Sequence, residues 1–525
     1  MKNNISISIL FFLLLALVTV NCNKDITQID TNWSTLNPTK LDTSAGNWRT
    51  NIITATDNFG IPTPSAVTSA AYQQELADLK IATSNLTDAQ RTAISYWSVG
   101  GVLRWNEIMR ALVTKYNLPV QESADGTYAI PDQTNPFAYP QFPFSSPPYA
   151  ARAYAYVSVA QYEALVAAYK LKMQYRRPAP YKTDSSIKPL VPVTDLPSYP
   201  SEDAVIASVS LEMMKFLFPT EVDFLNQKAA EHKTYKLWAG AAVSSDIAAG
   251  DSLGKVIAIK VLARAKTDGM KNAIGNAAKW DSIAKRTFIR MADNGKDTIS
   301  GDVVWISQDA PSRPPMLPFF GNVKAWMFTN PATVRMPPPP ASTSTLIKTQ
   351  LTESLNYSQN PTRDNLAIVN YWADGAGTQT PPGHWNQIAA GLIQSAQMSE
   401  VRTARNFALL NMSMMDAGIT CWDNKYTYYM PRPQQLDSRI KTMTGLPNFP
   451  GYTSGHSTFS GAAATFLSYV FPNQSSQLAA QAQQASLSRV LGCIHLRIDC
   501  ETGLQSGNKI GQLAVDKAKS DGADQ

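Results

Sequence analysis

The sequence predicts an all-α protein made of two related helical halves, joined by a proline-rich irregular connector. Three observations lead to this prediction. Apolar residues recur at i, i+3, i+4 and i+7, which is the spacing of an amphipathic helix. The chain also repeats itself at an offset of 253 residues, as between Phe218 and Phe471. Prolines cluster between the two copies, at Pro314-Pro315 and Pro337–Pro340, where long helices are not expected.

The repeat is clearest in one ungapped block of each copy. Residues 197–203 of the first copy align with residues 450–456 of the second, and both copies then run to a Phe-Pro pair. Such a match, with both landmarks kept, argues against chance similarity between helices, so we interpret the chain as a duplication. Between the landmarks the apolar positions coincide and form a helical stripe, which consists of Phe459, Ala462, Ala463, Phe466, Leu467 and Val470 in the second copy and of Ile206, Val209, Ser210, Met213, Met214 and Leu217 in the first.

Weaker matches extend the repeat in both directions. Downstream, residues 265–269 mirror residues 518–522, and upstream Lys170-x6-Arg177 has the spacing of Lys425-x6-Arg432 with a shift of two residues. Two aromatic landmarks also recur, with an insertion in the second copy: Tyr96-Trp97 with Tyr371-Trp372, and Trp105-Asn106 with Trp385-Asn386.

These matches divide the chain into five parts. We place the degenerate first half at residues 86–270, the proline-rich connector at 271–360 and the second half at 361–525. Residues 23–85 are an N-terminal extension, with a predicted helix over residues 69–79. Residues 1–22 remain as the fifth part.

The first 22 residues are typical of an export signal. Lys2 precedes an apolar run over residues 5–20, which is short for a membrane span and suited to the core of a signal peptide. Cys22 and the polar residues after it favour a bacterial lipoprotein anchored at Cys22, in the periplasm, at the outer membrane or at the cell surface. Secretion is the alternative, because residues 18–21 match the lipobox poorly. Apart from such an anchor we expect a soluble mature protein.

Composition and charge exclude some classes of partner. The net charge is +6 over 525 residues, and the lysines and arginines are scattered along the chain. A nucleic-acid-binding surface needs a basic stripe, so we expect no nucleic-acid partner. Of the three cysteines after Cys22, Cys493 and Cys500 are the nearest pair for a disulfide, and no Cys/His grouping indicates zinc. The sequence indicates no oligomeric state.

Three short segments near the C-terminus carry the chemistry. Arginine and lysine side chains can hold an anion, and a guanidinium can donate two N–H groups to it at once. The second segment begins a predicted helix, whose free N–H groups and positive dipole end form an anion site. We interpret the set as three permanent cations around one tetrahedral oxyanion. The segments are Lys425-x6-Arg432-Pro433, Ser454-Gly455-His456 and Ser488-Arg489-x5-His495.

The two histidines of these segments add catalysis to binding. Asp499 follows His495 by one helical turn, where its carboxylate can select the tautomer of His495 and strengthen the free nitrogen as a ligand or nucleophile. His456 is then the general acid or base on the other side of the anion. A protein that only binds phosphate needs no such histidines, which argues against a non-catalytic phosphate-binding lipoprotein.

The first copy lacks this chemistry. Glu202 and Asp203 stand where the second copy has Gly455 and His456, and Ala242 stands opposite His495. We therefore expect the first half to be a structural partner of the second.

Further residues near the three segments are weaker candidates. Asp416 either pairs with one of the arginines or is a surface carboxylate. His384 is interpreted as a group that supports the site from behind, and Ser488 as a residue that caps or supports its helix. His232 has no partner that the sequence identifies.

The three segments, in this order, resemble the signature of the superfamily that unites vanadium-dependent haloperoxidases, type 2 phosphatidic acid phosphatases and bacterial non-specific acid phosphatases. That signature is Lys-x6-Arg-Pro, Pro-Ser-Gly-His and Ser-Arg-x5-His-x3-Asp. Every position matches except the second proline, which is Thr453 here, and the change removes no catalytic group. The two-bundle layout and the Pro-Pro-Gly-His-Trp-Asn segment at 381–386 resemble the exported bacterial haloperoxidase-like branch over most of residues 86–525.

The resemblance implies an all-α fold and a vanadate cofactor with vanadium bonded to His495. It implies that His456 assists the binding and protonation of peroxide, and that peroxide drives the oxidation of a halide to a hypohalous species. Chloroperoxidases of this family carry a tryptophan and a phenylalanine at the places of Trp422 and Phe449, which weakly favours a haloperoxidase, since both positions suit core aromatics equally well. The residues that the resemblance assigns to vanadate are Lys425, Arg432, Ser454, Gly455 and Arg489.

The same pocket also suits hydrolysis of phosphate esters, which needs no cofactor. His495 would attack phosphorus and His456 would protonate the leaving oxygen, while the cations stabilise the transition state. The residues thus define the ligand as a tetrahedral oxyanion and leave two reactions open. We favour peroxide-driven halide oxidation over a soluble exported acid phosphatase.

Overall fold

The computed structural model describes residues 33–118, 123–127, 146–276, 278–280, 283, 289–291, 298–300, 302–308 and 313–523. The predicted export signal over residues 1–22, with Cys22, lies outside the described residues. Within them the structure is dominated by helices, and the all-α prediction is confirmed. None of the helices in this part of the chain combines the length and the hydropathy that crossing a bilayer requires.

The helices of nine residues or more fall into two consecutive sets of seven among the described residues. The first set is α1 (Ala70–Ser84), α2 (Asp88–Trp97), α3 (Gly101–Tyr116), α4 (Pro147–Tyr175), α5 (Glu202–Leu217), α6 (Val222–Trp238) and α7 (Ser244–Lys266). The second set is α8 (Thr345–Gln359), α9 (Arg363–Tyr371), α10 (Thr380–Ser395), α11 (Glu400–Tyr428), α12 (Gly455–Val470), α13 (Ser475–Leu491) and α14 (Arg497–Lys519). Between the sets, β1 (Ile289–Met291) pairs antiparallel with β2 (Thr298–Ser300), and Ile289 lies opposite Ser300.

The two sets correspond helix by helix. Helices α4 and α11 both have 29 residues, α5 and α12 both have 16, α6 and α13 both have 17, and α7 and α14 both have 23. Helices α1 and α8, with 15 residues each, precede the halves as we bounded them, so α8 lies inside the predicted connector. The matched lengths agree with a duplication, which itself stays a prediction.

The same buried ion pair closes both sets. Arg152 Nε lies 2.7 Å from Asp268 Oδ2, and Arg405 Nε lies 2.7 Å from Asp521 Oδ2. Both aspartates belong to the short motif that recurs at the end of each copy. That motif therefore marks the contact that ties the end of each half to its longest helix, and such a buried pair is costly to break.

One continuous apolar core extends through both halves. Helices α4 and α11 pack against each other, and residues of both sets belong to a single buried cluster. The predicted apolar stripes of α5 and α12 are buried, apart from the partly exposed Val470. Ser210, the polar exception in the first stripe, accepts a hydrogen bond from Gln161 Nε2 at 2.9 Å. The two bundles are thus halves of one core.

A buried polar network crosses the junction of the halves. Asn411 Nδ2 donates to Ser158 Oγ at 2.9 Å and to Asn386 Oδ1 at 2.9 Å. Asn106 Nδ2 donates to the same Oδ1 at 2.8 Å, and Asn386 Nδ2 donates to Asn411 Oδ1 at 2.7 Å. All four residues are buried. Because buried amides need partners, this network sets how the two halves meet.

The start of α12 is held in place by α14. A Cβ at Gly503 would lie 2.8 Å from Ser457 Cβ and 2.9 Å from Ser454 O, so only glycine allows this approach. Ser454 N also donates to Asp499 O at 2.8 Å. The turn before α12 and the first turn of α14 are therefore one rigid unit.

We expect Asn411→Ala to destabilise the protein by about 1–3 kcal/mol, because Asn386 and Ser158 lose a buried partner. Urea unfolding followed by circular dichroism measures the effect. Asn356→Ala, at an exposed position of α8, is the control and should change stability by less than about 0.5 kcal/mol. Equal effects of the two substitutions would contradict the role of the network.

Candidate active site

The three predicted segments converge at the helix ends of the second half. Lys425 lies in the last turn of α11, Arg432 follows that helix, and Ser454 caps α12. Arg489 lies in the last turn of α13, and His495 lies in the turn that leads into α14. Helix ends therefore place cations, a histidine and free N–H groups together.

His495 is held in one tautomer by its neighbours. Its Nδ1 lies 3.1 Å from Asp499 Oδ2, and its Nε2 lies 3.0 Å from Arg432 Nη1. A guanidinium can only donate, so Nε2 accepts and carries the lone pair, while Nδ1 donates its proton to the carboxylate. Leu496 N donates to the same carboxylate oxygen at 3.1 Å. The contact expected from the i+4 spacing is present.

His495 is a neutral imidazole. Burial lowers its pKa well below the usual value, and the nearby charges of Arg432, Lys425 and Arg489 lower it further. A neutral ring with its lone pair on Nε2 is the form that can bond to a metal or attack phosphorus.

Arg432 is completely buried beside His495. Its Nε donates to Phe449 O at 3.0 Å, and its Nη1 donates to Ile494 O at 2.7 Å. Burial lowers the pKa of the guanidinium to about 10, so it is still charged at neutral pH. Among the described residues its Nη2 has no hydrogen-bond partner. A buried, charged N–H group of this kind calls for an anionic acceptor.

Arg489 approaches the same place from α13. Its Nε donates to Ser488 Oγ at 2.8 Å, and its Nη2 donates to Val369 O at 3.3 Å. Ser488 donates in turn to Ala485 O at 2.6 Å, so its hydroxyl orients the guanidinium. Burial lowers the pKa of Arg489 to about 10, which leaves it charged at neutral pH.

Lys425 differs from the permanent cation that the sequence predicted. It is fully buried, and its Nζ donates to Pro450 O at 2.8 Å and to Gly451 O at 2.9 Å. Burial lowers the pKa of its ammonium to about 7, and repulsion from Arg432 acts in the same direction. Its ammonium is therefore only partly charged at neutral pH, and a bound anion would raise the charged fraction.

The turn at Ser454 presents backbone N–H groups to the site. Ser454 Oγ accepts a hydrogen bond from Ser457 N at 3.4 Å, which begins α12. The amides of Gly455 and His456 lie in the first turn, where a helix leaves its N–H groups without acceptors. Gly455 and His456 line the cleft described below, so an anion there can meet this helix end.

His456 is the second histidine of the site and lines the cleft. Among the described residues, its buried Nε2 makes no hydrogen bond. The nearest acidic oxygen, Asp374 Oδ2, lies 3.7 Å away. Burial lowers the pKa of His456 well below its usual value, and the charge of Arg489 adds to the shift. A neutral histidine facing the cleft can accept a proton there and return it.

Asp374 is a site residue that sequence reasoning missed. Its Oδ1 lies 3.1 Å from His384 Nδ1, so one carboxylate lies beside two histidines. Its negative charge also raises the pKa of Arg489 against the effect of burial. The feature of the sequence that could have pointed to Asp374 is the insertion between Trp372 and Trp385, which the first copy lacks.

His384 contacts the site through this carboxylate. Its ring stacks on Trp372 with the ring centroids 4.5 Å apart. It does not line the cleft itself. This placement agrees with the interpretation that His384 supports the site from behind.

The cleft over these residues has a volume of about 510 Å³. Trp422 and Phe449 form part of its wall, with their rings 5.0 Å apart. Trp422 Nε1 donates to Met316 O at 3.1 Å, which fixes the indole. Both aromatic side chains also belong to the apolar core, so each of them packs in the core and lines the cleft. The first half contributes Asn117, Leu118 and Pro147 to the lining.

Asp416 is neither a partner of the site arginines nor a surface carboxylate, so both expectations were wrong. It is fully buried, and its carboxylate accepts from Trp326 N at 2.9 Å and from Met327 N at 2.8 Å. Burial raises its pKa to about 7. Asp416 therefore anchors the connector to α11.

The first half has a pocket at the matching place, and its charges are paired. Lys236, the counterpart of Arg489, lies 3.3 Å from Asp203 Oδ2. Lys172 Nζ lies 3.9 Å from Glu202 Oε2. Each of these cations already has a carboxylate, which disfavours an oxyanion and agrees with a structural role for this half.

The structure corrects one alignment. Lys170, which the spacing pairs with Lys425, is exposed and donates to Ala55 O at 2.6 Å. The buried counterpart is Lys172, whose Nζ donates to Pro197 O at 2.5 Å. Lys172 and Lys425 are separated by the general offset of 253 residues. The match of Lys170 with Lys425, which needed a shift of two residues, was therefore wrong.

Two further sequence questions have structural answers. Cys421, Cys493 and Cys500 are buried free thiols, so the pair nearest in sequence forms no disulfide. His232 accepts a hydrogen bond from Trp105 Nε1 at 3.0 Å and stacks on Trp97 at 4.1 Å. It is a structural histidine of the first half.

Comparisons with known proteins agree with this geometry. Residues 406–515 match the family model of the PAP2 superfamily, which confirms the resemblance seen in the sequence. The chain is 31% identical over 123 residues to the vanadium chloroperoxidase of Curvularia inaequalis. That match covers 18% of this chain and 20% of the relative, so the chain spans about a fifth of the relative's length.

Two solved structures share the fold. The crystal structure of a bacterial vanadium-dependent iodoperoxidase matches with a TM-score of 0.53 at 21% identity, over 71% of this chain and 91% of that one. The holo form of a bacterial vanadium-dependent chloroperoxidase matches with a TM-score of 0.50 at 14% identity, over 77% and 98%. At these identities the likeness concerns the fold.

We expect sulfate, whose charge does not change near neutral pH, to bind more weakly as the pH rises above about 7. Binding keeps Lys425 protonated, so the protein must take up a proton once the free lysine is neutral. The expected loss is about tenfold per pH unit for one proton, measured by calorimetry. Burial and the nearby cations hold the pKa of both His456 and His495 well below its usual value, so in the free protein these histidines do not titrate in this range.

Two variants test this assignment. Lys425→Met should bind sulfate weakly and with little dependence on pH. Lys170→Met, which removes the exposed lysine of the first half, should keep the affinity and the pH dependence of the parent protein. An unchanged pH dependence in Lys425→Met would show that another group titrates.

Proposed function

We propose that this protein is a haloperoxidase-like enzyme that uses vanadate and peroxide to oxidise a halide. One observation carries the proposal. His495 Nε2 holds a lone pair in a cationic pocket, and the adjacent Arg432 has a buried N–H group that makes no hydrogen bond within the described residues. A tetrahedral oxyanion whose central atom bonds to imidazole would take the Nε2 lone pair over from Arg432 Nη1, and its oxygens would accept from the N–H groups of Arg432.

The residues of the pocket fit vanadate. His495 Nε2 would bond to vanadium, and the cations and the first turn of α12 would receive the oxygens. When bound, vanadate supplies Lewis-acid activation of peroxide toward a halide. The residues that would hold its oxygens are Lys425, Arg432, Ser454, Gly455 and Arg489.

The protein's own groups would manage charge and protons. Arg432 and Arg489 are charged at neutral pH, and an anion would restore the charge of Lys425. His456 lines the cleft, and its Nε2 makes no hydrogen bond among the described residues, so as a neutral base it can take the proton of an incoming peroxide and return it later. Asp374 would hold His456 and His384 in their orientations.

The sequence match to a vanadium chloroperoxidase and the aromatic wall favour this reaction. Trp422 and Phe449 line the cleft next to Gly455 and His456, and a halide needs such a partly apolar, dehydrated place. Peroxide and a halide are therefore the proposed substrates. The activity of the whole chain is part of this proposal, because the sequence match spans only about a fifth of the vanadium chloroperoxidase.

Phosphate ester hydrolysis is the second candidate, and the PAP2 superfamily match favours it. The same neutral Nε2 of His495 can attack phosphorus, and His456 would have to deliver a proton to the leaving oxygen. The lowered pKa of His456 opposes this proton delivery at neutral pH, because a histidine with a strongly lowered pKa is rarely protonated there.

We also propose export of the protein, with a lipid anchor at Cys22 or as a secreted form. The apolar run before Cys22 supports it. Metabolic labelling with palmitate should mark the parent protein and leave Cys22→Ala unlabelled. Secretion without label in both would favour the unanchored form.

We expect bromide- and peroxide-dependent halogenation by the purified protein only after orthovanadate is added. His495→Ala should lose this activity by at least about 100-fold, because the bond to vanadium is lost. Halogenation of a phenolic dye and hydrolysis of an aryl phosphate are measured side by side, each with and without vanadate.

Each outcome of this assay decides between the reactions. Hydrolysis that vanadate inhibits, without halogenation, would replace the haloperoxidase by the phosphatase. Lys170→Met is the control and should behave as the parent protein. Activity that survives in His495→Ala would overturn the assignment of the site in either form.

A further inference from the structure

We infer that Asn117, in the half without catalytic histidines, is a positioning residue that holds Asp374 in the active site. The inference rests on the proposed function, since it concerns the same cleft. It gives the first half a part in the chemistry beyond its share of the core.

Asn117 makes three hydrogen bonds to the loop over residues 373–379. Its Nδ2 donates to Gly375 O at 2.8 Å and to Thr378 O at 3.0 Å. Its own backbone oxygen accepts from Gly377 N. The side chain is buried, and the residue directly follows α3. An asparagine thus joins both ends of the loop to the end of a first-half helix.

The loop that Asn117 holds carries the carboxylate of the site. Asp374 has a φ of 44°, a backbone conformation that needs support from its surroundings. Its oxygens lie 3.1 Å from His384 Nδ1 and 3.7 Å from His456 Nε2. A small displacement of the loop would therefore move the carboxylate away from both histidines.

The first half also contacts the far end of this loop. Arg110 Nη1 donates to Gln379 Oε1 at 3.3 Å, and Tyr154 hydroxyl donates to Gln379 O at 3.3 Å. The loop belongs to the insertion that the first copy lacks, so no equivalent contact exists by symmetry. Residues of the first half thus support the inserted loop through several hydrogen bonds.

Asparagine suits this task for a chemical reason. Two carbonyl oxygens of one loop need two donors in a short side chain, and an amide nitrogen offers two N–H groups. Aspartate at position 117 would place a charge against those carbonyl oxygens. Alanine would remove one donor from each of them, and Gly375 O would then accept only from the hydroxyl and the backbone N–H of Thr378 among the described residues.

The test compares Asn117→Ala with Asn360→Ala. Asn360 also follows a helix, α8, but it is exposed, and its hydrogen bonds within the described part of the chain go to Asn356 of that helix. Asn117→Ala should weaken orthovanadate binding and lower kcat/KM by about tenfold, as is usual for groups that orient a metal ligand shell. Asn360→Ala should change neither quantity.

A double-mutant cycle with Asp374→Asn separates positioning from stability. If Asn117 acts through Asp374, then Asn117→Ala should have little further effect once the carboxylate is gone. Independent, multiplying losses would overturn the inference. So would a loss that appears only as a lower midpoint of unfolding, with unchanged vanadate affinity.

A measurement without activity keeps the inference testable if the proposed function fails. The chain has four histidines, so their imidazole ¹⁵N signals can be assigned one by one. Asn117→Ala should shift the signals of His384 and His456 and leave that of His232 in place. Unshifted signals of His384 and His456 would refute the inference, whereas absent vanadate binding by the parent protein would refute the proposed function alone.

Discussion

The constraint on which the site depends is that the lone pair of His495 lies on Nε2, where it accepts from the buried guanidinium of Arg432 in this structure and would be taken over by the central atom of a bound anion. It requires a neutral imidazole with one defined tautomer, and Asp499 provides that tautomer through Nδ1. The backbone carbonyl of Asp499 also accepts a hydrogen bond from the backbone N–H of Ser454. Asp499 therefore joins the histidine to the helix end at which the anion would bind. Binding and orientation are thus parts of one rigid arrangement.

The two halves show how a shared framework can hold opposite electrostatics. Both have a long helix that ends in a buried lysine, and both have a capped helix at the matching turn. In the first half Asp203 and Glu202 neutralise the lysines, so no cation needs an external partner. In the second half glycine and histidine replace those acids. The cationic pocket depends on glycine and histidine in place of two carboxylates as much as on its arginines.

Most of the fold could be predicted because it follows from local patterns. The helical stripes and serine caps are readable in the chain, and the structure has buried stripes and capped helices at those places. The errors came from contacts between distant residues. Lys170 and Lys172 lie on different sides of the same helix, so one is exposed and the other is buried. Asp416 contacts residues of the connector that are distant in the sequence. Spacing alone does not carry that information.

By itself the sequence determined the helices and the repeated pattern and predicted the class of ligand, because caps, stripes and charged residue types act locally. Only the tertiary structure decided the state of each group. Burial made Lys425 titrate near neutral pH and made His495 neutral, since desolvation depends on everything packed around a residue. It also brought Asn117 of one half to the loop that carries Asp374 of the other. These properties arise from the packing of the two halves against each other, and the sequence of one half alone does not determine that packing.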